Sequence, residues 1–197
     1  MKTLYIILLT VLITSAISSC TKGRIEDQAT DSLTISTDTA EVTIKVFQSD
    51  ENFKANFSSF YSGYLNLSDA FVASDVSKII QAAGELNNSL SSIETSSLDN
   101  AAQESWKANS TEIEIALHEI GTSKDLEIQR IAFSTISNHF YELIQAFGIK
   151  NQKAYYSYCP MAFDDKGGYW ISSKAEIRNP YFGDKMLTCG VVKAELN

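Results

Sequence analysis

Between Met1 and Cys159 the chain contains no proline. A stretch of that length without the strongest helix breaker is free to run in long helices, and its apolar residues are spaced for them. Phe53, Phe57, Phe60, Tyr61, Tyr64, Leu67 and Phe71 fall three and four apart and form one aromatic stripe, with Ser49 or Asp50 placed to cap its start. Val76, Ile79, Ile80, Ala83, Leu86 and Leu90 form a second stripe, opened by Ser74 or Asp75. Trp106, Ile113, Leu117 and Ile120 form a third, closed by Gly121. Thr122-Ser123-Lys124-Asp125 has the shape of a capping box with Asp in place of Glu or Gln. Ile128, Ala132, Ile136, His139, Leu143 and Phe147 then form a fourth stripe, ended by Gly148. Short connections between consecutive helices make them antiparallel neighbours, so the expected closure is an up-down four-helix bundle.

After Gly148 the composition changes. Residues 149–197 hold both prolines, four of the nine glycines and five of the nine tyrosines, which is the composition of turns and strands. Tyr155 to Tyr158 and Tyr169 to Ser172 read as short strands joined by a turn at Asp164-Asp165-Lys166-Gly167-Gly168. Asn179 to Asp184 reads as a second turn, and Leu187 to Leu196 as a last strand. The fold class expected is α+β: an up-down four-helix bundle followed by a small β region that carries Cys and Met.

The N-terminus has a different character. Lys2 precedes an almost wholly apolar run from Leu4 to Ile17. This run is shorter than the about 20 residues a membrane-spanning helix needs and suits the apolar region of a signal peptide. It ends in Ile17-Ser18-Ser19-Cys20, which looks like the lipobox of bacterial lipoproteins. Residues 1–19 are therefore expected to be a lipoprotein signal peptide and Cys20 the lipidated residue. Residues 20–48, rich in Ser, Thr, Asp and Glu, would be a tether, with a short alternating piece at Val42 to Val46 as a candidate edge strand. Residues 49–197 would be one domain. The expected place is the cell envelope, anchored to a membrane by lipid and facing the periplasm.

Charge and residue types exclude several functions. The formal net charge of −8 becomes −9 once Lys2 leaves with the signal peptide, and an acidic chain repels phosphate backbones, so nucleic acid is not an expected partner. There are two histidines, and no nucleophile elbow, phosphate-binding glycine loop or HExxH helix. An enzyme is not expected.

What chemistry there is lies in sulfur. Apart from Met1, the methionines are Met161 and Met186, each within three residues of a non-lipid cysteine, Cys159 or Cys189. Thiolate and thioether are soft ligands that select ions such as Cu(I). Outside the cytoplasm two cysteines equally make a disulfide, and closing a loop of about 30 residues would stabilise the fold by about 3 kcal/mol. Free buried thiols are the third alternative, with the methionines as core filler. His139, on the apolar stripe of the fourth helix, reads as a satisfied core histidine or as a further ligand. His118 is expected to be exposed. Tyr169 and Trp170 can cover a cation face-on or simply pack. Asp164 and Asp165, beside two glycines, read as a solvated turn.

Three strings of this sequence resemble the family known as the domain of unknown function 3347. They are Tyr158 to Ala162, Gly168 to Ser172, and Ile177 to Gly190 with its Asn179-Pro180-Tyr181-Phe182-Gly183 and Met186-Leu187-Thr188-Cys189. The Phe-rich first helix and Arg130-Ile131-Ala132-Phe133-Ser134 add to the resemblance, which spans about Phe53 to Val192. That family includes stand-alone exported proteins and domains attached to periplasmic adaptor subunits of copper/silver-type efflux pumps. The resemblance implies a role in handling Cu(I) or Ag(I), with Cys159, Met161, Met186 and Cys189 as the ligands. It also implies an efflux adaptor or a metallochaperone as partner. The alternative is a protein-interaction module with a structural Cys159–Cys189 disulfide and no metal.

Overall fold

The computed structural model of the chain describes residues 46–196. The signal peptide, Cys20, the tether and positions 42–45 of the candidate edge strand lie outside the described residues, and Val46 itself is in no strand. Four helices come first: α1 (Glu51–Val72), α2 (Val76–Ser91), α3 (Asn100–Thr122) and α4 (Leu126–Phe147). An aspartate opens each of them. Asp50 accepts from Phe53 N, Asp75 from Lys78 N, Asp99 from Ala102 N and Asp125 from Glu127 N, so each first turn has one of its orphan donors satisfied. Gly148, at φ 69°, ends α4 in the left-handed region that a glycine adopts without strain.

Each helix packs on the next, α1 on α2, α2 on α3 and α3 on α4. The return contact between α1 and α4 is made by rings. Phe60 meets Phe140 with centroids 4.6 Å apart, Tyr64 meets Phe140 at 4.6 Å, Phe71 meets Phe133 at 4.6 Å and Phe53 meets Phe147 at 4.9 Å. All but Phe147 are at most 1% exposed. Each such side chain contributes about 1.5–3 kcal/mol by leaving water, so the aromatic stripe of α1 is the centre of the core.

Two details of α4 correct the sequence reading. The helix starts after Asp125, and no box forms with Thr122: Ser123 Oγ accepts from Asp125 N while Asp125 itself caps. The buried face is also wider than the stripe. Ala132, Ile136, Leu143 and Phe147 of the stripe are buried and Ile128 is 41% exposed, while Gln129, Arg130, Phe133, Ser137 and Phe140 are buried as well. The cause is a second partner, since α4 packs against the sheet as well as against the bundle.

That sheet has three antiparallel strands in the order β2-β1-β3, with β1 (Ala154–Cys159) central between β2 (Gly168–Ser172) and β3 (Val191–Leu196). A short helical turn, α5 (Ala162–Asp165), joins β1 to β2, with Phe163, Asp164 and Asp165 at positive φ. The last strand begins at Val191 rather than Leu187, because Met186 to Cys189 closes a turn in which Cys189 N donates to Met186 O at 3.0 Å. A register shift at Tyr156/Ser157 bends the β1–β3 ladder.

Two buried polar groups fasten sheet to bundle. The Tyr64 hydroxyl, from α1, accepts the Ile171 N–H of β2 at 3.0 Å and donates to Ser137 Oγ at 2.8 Å, and Ser137 in turn donates to Phe133 O within α4. Burial raises the Tyr64 phenol well above its ordinary pKa, so it keeps the proton it donates. Arg130, 6% exposed, sends Nε to Pro180 O, Nη2 to Ser74 Oγ and Nη1 to Glu127. It thereby ties α4 to the α1–α2 turn and to the loop before β3. Gly183 lies at that junction: at φ 55°, a Cβ there would collide with Ser74 Oγ.

Candidate functional site

Cys159 is the last residue of the central strand, opposite Gly168 of β2, and its side chain is fully buried. Cys189 arrives at the same place from the turn that leads into β3. The loop that carries it is built on Asn179, which is 0% exposed and uses both its backbone and its side chain. Its N–H donates to Leu187 O at 2.8 Å, its Oδ1 accepts from Tyr181 N at 2.8 Å, and its Nδ2 donates to Cys189 O at 2.7 Å. Gly190 then crosses close to the sheet at φ 145°. A Cβ there would sit 2.7 Å from the Trp170 ring and 3.1 Å from Tyr158 O, so no larger residue brings the strand in at this height. Val191 pairs with Tyr158, so Cys159, one residue after Tyr158, and Cys189, two residues before Val191, lie just beyond the same end of the ladder.

The result is an Sγ–Sγ distance of 3.1 Å between two free thiols thirty positions apart. Cys159 is sealed and Cys189 half-buried. The hydrogen bond with Cys159, with burial adding to it, holds the Cys189 thiol above its ordinary pKa. At neutral pH Cys189 therefore stays protonated and is slow to act as a nucleophile.

The other sulfurs are less closely engaged. Met161 is 48% exposed at the start of the α5 turn. Met186 is half-buried and borders a cavity of about 220 Å³ with Arg130, Phe163 and Phe182. Among the described residues no hydrogen bond joins either thioether to a cysteine. His139 is occupied elsewhere: its Nδ1 lies 2.8 Å from Asn109 Oδ1 of α3. Asn109 Nδ2 donates to Ser105 O, so the amide oxygen is the acceptor for the ring and Nδ1 carries the proton. His118 is exposed, as its sequence position suggested. Among the described residues there is no group of three or more His, Cys, Asp or Glu side chains that could hold a metal ion.

Tyr169 and Trp170 do not form an open cation platform. Tyr169 stacks on Tyr156 at 4.8 Å, and Trp170 is 1% exposed against Tyr181. Three residues that shape the site escaped the sequence reading in these roles: Asn179, Gly190 and Tyr64. A buried asparagine that anchors a loop carries the same signal as one in a solvated turn, and only the Asn-Pro-Tyr-Phe-Gly setting hinted at it.

No curated protein and no solved structure matches this chain. A family model matches part of it and stops before Cys159, so the sulfur motif lies beyond the matched residues. The part that matches, residues 60–152 from within α1 to the turn before β1, matches the model of the protein of unknown function DUF3347, which supports that family for the helical bundle.

Proposed function

We propose that this chain is an envelope lipoprotein, anchored through Cys20, whose Cys159–Cys189 pair takes up a soft monovalent ion, Cu(I) or Ag(I), for buffering or for delivery to an efflux system. The observation that carries the reading is the meeting of the two thiols, one sealed and one half-buried, with Met161 and Met186 close by in sequence. Thiolates and thioethers prefer soft ions over Mg²⁺ or Ca²⁺. The ion displaces the thiol protons, and because the Cys189 proton is held tightly, affinity rises with pH. A metal–sulfur bond of about 2.3 Å sets two ligands of a tetrahedral centre about 3.8 Å apart, so the sulfurs part slightly on loading. The half-buried Cys189, on its loop, is the one free to move. An efflux adaptor or a metallochaperone is the partner this reading expects.

The test is an anaerobic Cu(I) titration of the reduced chain from Thr21 onward against a competing chelator. One-to-one uptake is expected, abolished in Cys159→Ser and weakened in Met186→Leu. A reduced protein that takes up no Cu(I) rules the reading out.

A second reading is a protein-interaction module whose Cys159–Cys189 disulfide is structural. The 3.1 Å approach favours it, since the sulfurs are already closer than a shared metal would set them. Its signature is a mass two hydrogens lower, with no free thiol, in protein recovered from the envelope.

A further inference from the structure

A cavity of about 390 Å³ lies between α1 and the segment after β2, away from the methionine-bordered cavity. Its size is that of a small-molecule site. Trp170 and Ser68, both deep in its wall, are 1% and 7% exposed. Among the described residues neither the Trp170 indole N–H nor the Ser68 hydroxyl has a hydrogen-bond partner. A serine in a helix commonly donates to the carbonyl four residues back, as Ser59 and Ser62 do earlier in α1, but Ser68 does not. Among the described residues the side-chain polar atoms that are fully enclosed and unpaired are Ser49 Oγ, the Tyr61 hydroxyl oxygen, Gln129 Oε1 and Ser157 Oγ. The indole nitrogen and the Ser68 oxygen are not among them, so each keeps contact with open space, and the space both border is this cavity. A buried donor left unpaired costs about 1–3 kcal/mol unless something in the cavity accepts from it.

The rim adds charge of both signs. Lys174 and Arg178 border the cavity from the segment after β2, together with Glu176, and Asp69 borders it from α1. All four are exposed, and none makes an ion pair among the described residues. Two cations and two anions around one mouth disfavour a multiply charged anion and suit a ligand that carries both signs.

We infer that this cavity binds a small zwitterion of the amino-acid class. Its carboxylate accepts from the Trp170 indole N–H and the Ser68 hydroxyl and lies beside Lys174 and Arg178. Its ammonium group faces Asp69 and Glu176. No cysteine or methionine lines this cavity, and the proposal does not depend on metal binding at the thiol pair.

Calorimetric titration of the full chain in detergent with glycine, L-glutamate and L-lysine tests this, with succinate as the carboxylate that lacks an amine. Saturable one-to-one binding of at least one amino acid is expected, with succinate at least about tenfold weaker. Replacing both rim cations, Lys174→Ala with Arg178→Ala, changes only exposed side chains and leaves the fold intact; it is expected to weaken the amino acid at least about tenfold, and Ser68→Ala to do the same. The proposal is overturned if none of the three amino acids binds, if succinate binds as tightly as they do, or if the rim double variant binds as tightly as the parent.

Discussion

A thiol held as a hydrogen-bond partner of another thiol has a chemical signature. The Cys189 proton is retained above the ordinary range chiefly because of Cys159. Alkylation proceeds through the thiolate. The rate of Cys189 modification by iodoacetamide should therefore climb through a midpoint above that of an ordinary cysteine, and Cys159→Ala should move that midpoint down and speed the reaction at pH 8. Equal midpoints in the two proteins would show that the thiols do not interact. The residue types of this site were legible in the sequence: soft ligands paired as Cys and Met stand out against two internal methionines. The meeting of Cys159 with Cys189 was left open there. It depends on the β1–β3 register, on Asn179 bonding to Cys189 O, and on Gly190 passing over Trp170, and none of these contacts is local in sequence. His139 read as a satisfied core histidine or as a further ligand, and the stripe alone does not reveal that its Nδ1 meets Asn109 of α3.

At the level of elements, the four helices were legible because a 3.6-residue period and a proline-free stretch leave few alternatives. The errors cluster where an element has two partners. Most of the fourth stripe is buried as expected, but α4 also carries the sheet, so Gln129, Arg130 and Phe133 are buried beside it while Ile128 stays exposed. In the same way Leu187 to Gly190, apolar enough for a strand, is bent into a turn by the loop that Asn179 organises. The join of sheet and helices can be tested at Tyr64. Tyr64→Phe keeps the ring in place between Phe133 and Phe140 and removes one hydroxyl, leaving the Ile171 N–H without its acceptor. Urea unfolding is expected to show a loss of about 1–3 kcal/mol. Hydrogen exchange should quicken at the Ile171 amide more than in α2, which the hydroxyl does not touch. Uniform exchange changes would mean that this bond does not fasten the sheet.

For the whole molecule, the thiol pair sets a difference between two covalent states of one fold. Oxidation closes a loop of thirty positions and should raise stability by about 3 kcal/mol. For a domain of this size that is about 6–12 °C in melting temperature, read from thermal melts with and without reductant and absent in Cys159→Ser. Coincident melts would show that the bridge does not form or does not constrain the chain. The order of elements gives this pair one more property. A ribosome delivers α1 to α4 before either of these sulfurs, and chains tend to fold N-terminal parts first as they emerge. The small sheet takes its backing from Tyr64, Phe133 and Arg130, all already made. The thiol pair is thus completed late: Cys159 is in place on a finished scaffold before the loop built on Asn179 brings Cys189 to it.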